Sequence, residues 1–394
     1  MDENKLKYMF EYRQQTGVLL LLNCPSMMQF GIDYSSWTVG DKFMGIKLIP
    51  EGAHFIYYSL KDESYSFKQG FFINVIQKNK FHIRKWDKDV EDFVSLKNEE
   101  DEKNFSIGIN NLEFDQFLGN FPSEQVENWK DLTRFIDSKV LERLEPINRK
   151  YLTSSKEYED GSNKDSQNNL IKGNIFFTAI PKKKFYLNKV DPAILTQNNL
   201  DKSIILDELI EKEYANQTSL LLGEFQYSFI TFFLGEIYES FDQWKNIIIL
   251  ICSCKDLITK RAKLFCDFIE ILYHQLRQMP KDFFIDEISS NNFLGKMLEN
   301  FFDNCKDGNE SMKKRINLLK KFLKEFFAFE IKDENQKIID GYIAKQQLLK
   351  SNDEDDEMPT IVDENEVYES LYNDEVTEID DMTLSVHTTD VDMS

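Results

Sequence analysis

The sequence predicts an α+β multidomain chain. A mostly β N-terminal domain, sandwich or barrel-like with flanking helices, is expected over 1–150, and a linker with a short strand over 151–190. An all-α helical domain follows over 191–350, and an acidic disordered tail over 351–394. Three observations carry this reading. Between Val18 and Trp86, β-branched and aromatic stretches alternate with Gly, Pro, Asn or charged residues, the texture of strands and turns. From Asp191 onward apolar residues recur at helical spacing. The last 44 residues hold 16 Asp or Glu and no Lys or Arg.

Taken in order, residues 3–15 read as a short helix, with Leu6, Met9, Phe10 and Arg13 at helical spacing and Gly17 as its stop. Val18–Leu22 is an apolar run before Pro25. Gly45–Ile49, Ala53–Leu60, Ser66–Gln77 and Phe81–Trp86 read as strands, with Lys78-Asn79 placed as a tight hairpin turn between the last two. Asn111–Gly119 and Ser123–Leu144 return to helical spacing. The second has Ser123 as N-cap, a stripe of Val126, Trp129, Leu132, Ile136, Val140 and Leu144, and Pro146 as its end.

Residues 153–173 are rich in Ser, Asn, Lys, Asp and Gly and have no apolar period, as a loop or linker would. Ile175–Tyr186 is a short strand-like stretch interrupted by Pro181. Helices are expected over Leu200–Ala215, Leu257–Met279, Asn292–Asn304, Ser311–Phe329 and Glu334–Leu349. Thr218–Cys252, with Gly235 inside it, reads as two helices or one kinked helix. A bundle or helix-pair stack is the natural packing, and the absence of a fixed-length repeat weighs against a regular solenoid.

Composition narrows the function. The chain has 48 Lys plus Arg and 69 Asp plus Glu, a net charge of −21. The tail holds 16 of those acids, so residues 1–350 carry 48 basic and 53 acidic residues, a net of −5. A hydrophobic fraction of 41 %, with 33 Phe and 16 Tyr, suffices for a packed core. A net negative chain is a poor prior for bare nucleic acid. Five cysteines are an odd count in a long chain and do not form a disulfide framework. The charged start and the short apolar runs predict a soluble intracellular protein without signal peptide or membrane span. The sequons at Asn104, Asn216 and Asn309 carry no weight there.

Chemistry-bearing motifs are scarce. There is no Walker-type phosphate loop, no G-x-G-x-x-G after a strand, no G-x-S-x-G elbow and no H-E-x-x-H. Cys252 and Cys254 form a C-x-C at the end of an apolar helix and read as buried structural cysteines, since no further ligands stand at usable spacing. His54 and His82 lie in expected strands and read as half-buried polar residues; His274 and His387 are isolated. No catalytic, cofactor-binding or metal-binding residue is assigned, and no cofactor is expected.

Two basic features remain. Lys182-Lys183-Lys184 after Pro181 resembles a minimal nuclear import signal, or is a solvated basic turn. In the helix over 311–329, Met312, Ile316, Leu319, Leu323 and Phe326 alternate with Lys313, Lys314, Arg315, Lys320, Lys321 and Lys324. Such a helix is the outer helix of a bundle, or a face for RNA or a membrane.

One resemblance is specific. Leu21-Leu22-Asn23-Cys24-Pro25, Phe30-Gly31-Ile32-Asp33-Tyr34, Ser36-Trp37, Val39-Gly40, Ile49-Pro50 and His54-Phe55 are followed, in order, by Gly70-Phe71-Phe72, Arg84-Lys85-Trp86 and Asp115-Gln116-Phe117-Leu118-Gly119. Trp129 with Leu132-Thr133, Leu222-Gly223-Glu224-Phe225-Gln226, Phe233-Leu234-Gly235, Leu272-Tyr273-His274-Gln275-Leu276 and Asn291-Asn292-Phe293-Leu294 continue the series. Over about 18–295 this resembles the Aar family of cistron-splicing factors, assembly chaperones of the U-five small nuclear ribonucleoprotein. The blocks are rich in Gly, Phe and Trp and read as core, so none is assigned as a contact.

The resemblance implies a β domain followed by a helical domain, and no catalysis. It implies a nuclear and cytoplasmic assembly factor that binds the large spliceosomal scaffold protein through that protein's RNase H-like and Jab/MPN domains. The elongation-factor-like GTPase of the particle would share the complex, while helicase and RNA are kept off. No direct nucleic-acid or membrane partner is then expected. It also implies a tail segment that adds a strand to the scaffold, for which Pro359, Thr360, Ile361 and Val362 are the best match: a β-branched run in an acidic stretch, suited to β-augmentation. Ser351, Ser370 and Thr377 lie near acids, and phosphate there would add charge against such docking. The alternative is an RNA-binding splicing protein that uses the basic helix.

Overall fold

The computed structural model describes residues 13–60, 68–145, 152–153, 175–181, 201–281 and 293–329. They fall into two compact units, one of residues 13–251 with Glu270–Arg277, the other of Cys252–Ile269 with residues 278–329.

In the first unit the strands are β1 Gly17–Leu22, β2 Gln29–Ile32, β3 Ser35–Thr38, β4 Gly45–Ile49, β5 Gly52–Ser59, β6 Gln69–Val75, β7 Phe81–Asp87, β8 Asp92–Ser95, β9 Gly119–Asn120 and β10 Leu152–Thr153. Among the described residues they form two five-stranded sheets, β8-β7-β1-β4-β9 and β10-β6-β5-β2-β3. The first is mixed, with β1 parallel to β7 and antiparallel to β4. The second is antiparallel.

Side chains from both sheets share one core, including Leu19, Leu21, Phe30, Ile32, Ile46, Ile56, Tyr58, Phe71, Ile73, Trp86 and Phe93. This is the expected β sandwich. Side chains alternate faces along a strand, so Leu19 and Leu21 enter that core. Val18 and Leu20 face the opposite way and pack with Ile83, Ile109 and Leu118. Burial on both faces explains why β1 is a continuous apolar run.

Several local expectations are corrected. Gln29–Thr38 is a hairpin, with Phe30 opposite Trp37 and Asp33 in the turn at φ 54°. Neither strand is among those expected from the sequence, because four-residue strands carry little alternation. Lys78-Asn79 is a turn, closed by an isolated bridge from Ile76 to Asn79, but it does not join paired strands. The chain passes there from one sheet to the other, because β7 pairs with β1 and β8.

Helix α1, Glu99–Asn110, lies where no helix was expected. Asn98 accepts from the Glu100 amide at 3.0 Å, and Glu99, Glu100, Asp101 and Glu102 fill the first turn. Cap and dipole favour the helix there, although its apolar face is thin. Asn111–Gly119 is not an α-helix: it holds a 3-10 turn, Asp115–Phe117, and the start of β9. The stretch expected as one helix from Ser123 is a 3-10 turn followed by α2 Val126–Thr133 and α3 Ser138–Leu144. Ser123, expected as the N-cap, is the first residue of that turn, whose N-cap position is Pro122. The break comes at Asp137, whose carboxylate accepts from the Lys139 and Val140 amides, each at 3.0 Å, and starts a new helix.

The described part of Ile175–Tyr186, residues 175–181, holds no strand. Its Thr178 amide bonds a glutamate side chain rather than a neighbouring strand. The helical half follows its periodicity more closely: α4 Ser203–Lys212, α5 Thr218–Phe233, α6 Tyr238–Cys252, α7 Leu257–Lys260, α8 Ala262–Leu276, α9 Phe293–Asn304 and α10 Glu310–Phe327. The long stretch from Thr218 is two helices, parted where Glu236 takes φ 56° beside Gly235. Helix α5 is buried over most of its circumference, and within the first unit its Tyr227 stacks on Phe72 of β6 at 4.9 Å. Residues 3–12, the helix expected over Glu334–Leu349 and the whole acidic tail lie outside the described residues.

Candidate functional site: a buried polar junction and an exposed basic helix

The first feature centres on Leu222-Gly223-Glu224-Phe225-Gln226 in α5, all buried. Gly223 admits a close approach: a Cβ there would stand 2.5 Å from both Phe135 O and Val140 Cγ2, so the α2–α3 loop rests on bare backbone. Gln226 then fixes that loop, accepting from the Phe135 amide at 2.8 Å and donating to Asp131 O at 2.9 Å.

Glu224 is wholly buried and gathers four donors. Thr178 donates its amide at 2.8 Å and its hydroxyl at 2.7 Å; Gln243 donates at 2.8 Å and the Tyr214 hydroxyl at 3.0 Å. The Arg143 guanidinium stands 3.8 Å away as counter-charge and covers the Tyr214 ring at 4.7 Å. A buried carboxylate persists only when paired and hydrogen-bonded, and both conditions are met here. Burial, then the Glu224 charge, holds the Tyr214 hydroxyl protonated well above the usual phenol range. The junction ties residues 175–181, α3, α5 and α6 together. It has no solvent-facing nucleophile or acid, and its chemistry is that of a structural clamp.

His54 is fully buried rather than half-buried. Its Nδ1 lies 2.6 Å from Asp33 Oδ2 and its Nε2 lies 3.0 Å from Pro50 O, so both ring nitrogens are engaged. The adjoining cleft of about 210 Å³ is lined by Pro50, Phe121, Trp129, Lys130 and Arg134 among others. Trp129, in its wall, is held by donating to Ala53 O at 2.8 Å. His82, in β7, is pushed down to about 4 by burial and then by Arg84. Cys252, Cys254, Cys266 and Cys305 are buried and form no disulfide. Burial pushes the Cys305 thiol up to about 12 and raises Cys252 as well. Among the described residues no group of three or more His, Cys, Asp or Glu is arranged to hold a metal ion, and no helix is long and apolar enough to cross a membrane.

The second feature is α10. Asn309 caps it by accepting from the Met312 amide at 2.9 Å, and Ala328 ends it at φ 53°. Its buried stripe is Met312, Ile316, Leu319, Leu323 and Phe327. Phe327 takes the place expected for Phe326, which is only partly buried. Lys313, Lys314, Lys321 and Lys324 are exposed, with Leu318 among them at 65 % exposure. Lys320 is drawn over the Phe302 ring at 4.9 Å. Pro359, Thr360, Ile361 and Val362, the tail residues expected to bind a partner, lie outside the described residues, as do Lys182–Lys184.

A β sandwich followed by a run of helices, with a buried polar cluster fastening residues 175–181, α3, α5 and α6 within one unit, defines a class of two-part α+β protein. The family profile described as the AAR2 N-terminal domain matches residues 15–146, and the one described as the AAR2 C-terminal repeat region matches 177–332. The chain belongs to the AAR2 family. It is similar to the Protein AAR2 homolog of Homo sapiens, 31 % identical over 336 residues, 77 % of this chain and 86 % of that protein. It is also similar to the Caenorhabditis elegans homolog, 30 % identical over 354 residues, 81 % and 96 % of the two chains. The A1 cistron-splicing factor AAR2 of Saccharomyces cerevisiae is 25 % identical over 284 residues, 66 % and 77 % of the two chains. The blocks that carry the resemblance lie within the two profile matches, and Leu222–Gln226 of α5 is core, as its composition implied.

Proposed function

We propose that this chain is a non-enzymatic assembly factor of the U-five small nuclear ribonucleoprotein in pre-mRNA splicing. The observation that carries the reading is membership of the AAR2 family across both the β-rich and the helical parts, with a cistron-splicing factor among the relatives. In this reading the chain binds the large spliceosomal scaffold protein through its RNase H-like and Jab/MPN domains. It holds helicase and RNA off that surface while the particle's GTPase is already present. The segment Pro359–Val362 adds a strand to the scaffold, main-chain bonds supplying affinity and alternate side chains register. The protein works in both cytoplasm and nucleus.

Affinity purification of the tagged chain from its own cells tests this. Scaffold and GTPase should co-purify without the helicase; stoichiometric helicase in the same complex contradicts the reading.

The second reading, an RNA-binding splicing protein, is favoured by the exposed cations of α10. Its signature is a steep linear fall of log affinity with log salt, because each phosphate neutralised releases counterions. A flat salt response in an RNA titration removes it.

A further inference from the structure

Helix α10 carries six Lys or Arg against two acids, Glu310 and Glu325. The acids pair with Lys313 and Lys321 at 3.7 Å each, in exposed contacts one helical turn apart. Such pairs are weak and exchange readily for better partners. Leu318, four residues after Lys314 and three before Lys321, is 65 % exposed in the middle of this face. Basic side chains around one bare leucine suit an acidic ligand with interspersed apolar residues.

The chain itself contains such a ligand. Residues 351–394 hold 16 acids and no base, interleaved with Ile361, Val362, Val367, Leu371, Val376, Ile379 and Leu384. Twenty-one residues, 330–350, separate the last described residue, Phe329, from this tail. Even a wholly helical connection of that length spans about 30 Å, at roughly 1.5 Å per residue. Helix α10, with 18 residues, is about 27 Å long on the same rise. The tail therefore reaches every turn of the basic face, and tethering makes the encounter intramolecular.

We propose that the acidic tail, residues 351–394, docks in cis on the exposed basic face of α10 around Leu318 and screens that face from nucleic acid. The tail is favoured over a second copy of the chain by charge: residues 1–350 carry a net of −5, so two bodies repel, whereas the tail holds the remaining −16. The inference does not rest on the scaffold-binding role proposed above, but it shares Pro359–Val362 with it, so a tail held on α10 is withheld from the scaffold. It would reconcile an exposed cationic helix with a protein that does not act by binding RNA.

Zero-length carbodiimide cross-linking of the full chain at low salt, read by mass spectrometry, tests the contact. Amide links should join tail carboxylates to Lys313, Lys314, Lys321 or Lys324 in preference to exposed lysines of the β sandwich such as Lys42. They should persist on dilution and vanish as salt shortens the Debye length to about 3 Å near 1 M. Tail links spread evenly over surface lysines overturn the proposal. So do links to α10 that appear only at high protein concentration, which indicate a second copy. A second arm uses a full chain with its tail Asp and Glu replaced by Asn and Gln. That chain should bind a single-stranded oligouridylate about tenfold more tightly at low salt, with a steeper salt slope. Adding Lys313→Glu, Lys314→Glu and Lys321→Glu should cancel the gain. Equal RNA affinity with and without tail charge overturns the screening role.

Discussion

Glu224 holds Thr178 at two points, accepting its amide at 2.8 Å on one carboxylate oxygen and its hydroxyl at 2.7 Å on the other. A segment 46 residues away in sequence is thus fastened to the middle of a buried helix. Glu224→Gln keeps one acceptor oxygen, but it sets an NH2 donor against the Thr178 and Tyr214 hydroxyls and leaves the Arg143 charge uncompensated. Glu224→Gln should destabilise the protein by about 3 kcal/mol, the scale for breaking a buried charged cluster from one side. Urea unfolding followed by tryptophan fluorescence measures it. A loss below about 1 kcal/mol, the worth of one ordinary hydrogen bond, would show that the junction is not the clamp described.

Gly223 offers a sharper contrast. Gly223→Ala places a methyl 2.5 Å from Phe135 O and Val140 Cγ2. Overpacking of this kind costs about 1–3 kcal/mol. Gly40→Ala, where a Cβ meets nothing within 4 Å, is the matched control and should change stability by less than about 0.5 kcal/mol. Equal midpoints for the two variants would refute the close approach.

His82 predicts an acid response. Its folded-state value of about 4 lies below the ordinary 6.5, so the unfolded chain binds the proton more readily between those limits. Stability from this group is therefore complete above about pH 6.5 and is lost as pH falls toward 4. The loss reaches up to about 3 kcal/mol at 1.36 kcal/mol per unit. His82→Gln should flatten the pH dependence across that window relative to the unaltered protein, measured by denaturant midpoints at fixed salt. An unchanged slope would place the acid sensitivity elsewhere.

The buried thiols predict silence toward alkylation. Cys252 and Cys305 are shielded and hold their protons far above neutrality, and the thiolate is the reactive form. Iodoacetamide at pH 7.5 should leave both unmodified in the folded protein and label both in urea, as peptide mass mapping would show. Rapid labelling of either in the native state would mean that this part of the second unit opens readily.

These features were unequally legible from sequence. The apolar run of β1 and the stripe of α10 show in the residue pattern, because burial on one or both faces leaves a period. Strands β2 and β3 do not, since their pairing depends on the turn at Asp33 and on Tyr57 lying opposite Gly31. Helix α1 was hidden because capping and dipole favour it more than an apolar face does. The join at Asp137 was hidden because the apolar spacing runs on through it. Glu224 stood in a recognisable block, but its partners Thr178, Tyr214, Gln243 and Arg143 come from four separated segments and meet only in the fold. The basic helix was legible down to its cations. Its exposed Leu318 was not, because periodicity marks which face is apolar and not which apolar residue stays outside.

The most direct measurement is a titration of the purified full chain against the scaffold's RNase H-like and Jab/MPN domains, with purified helicase as competitor. The assembly-factor account predicts a saturable complex in which chain and helicase exclude one another, and weaker binding when the chain ends at Lys350. No complex, or a ternary complex holding chain, scaffold domains and helicase together, would contradict it.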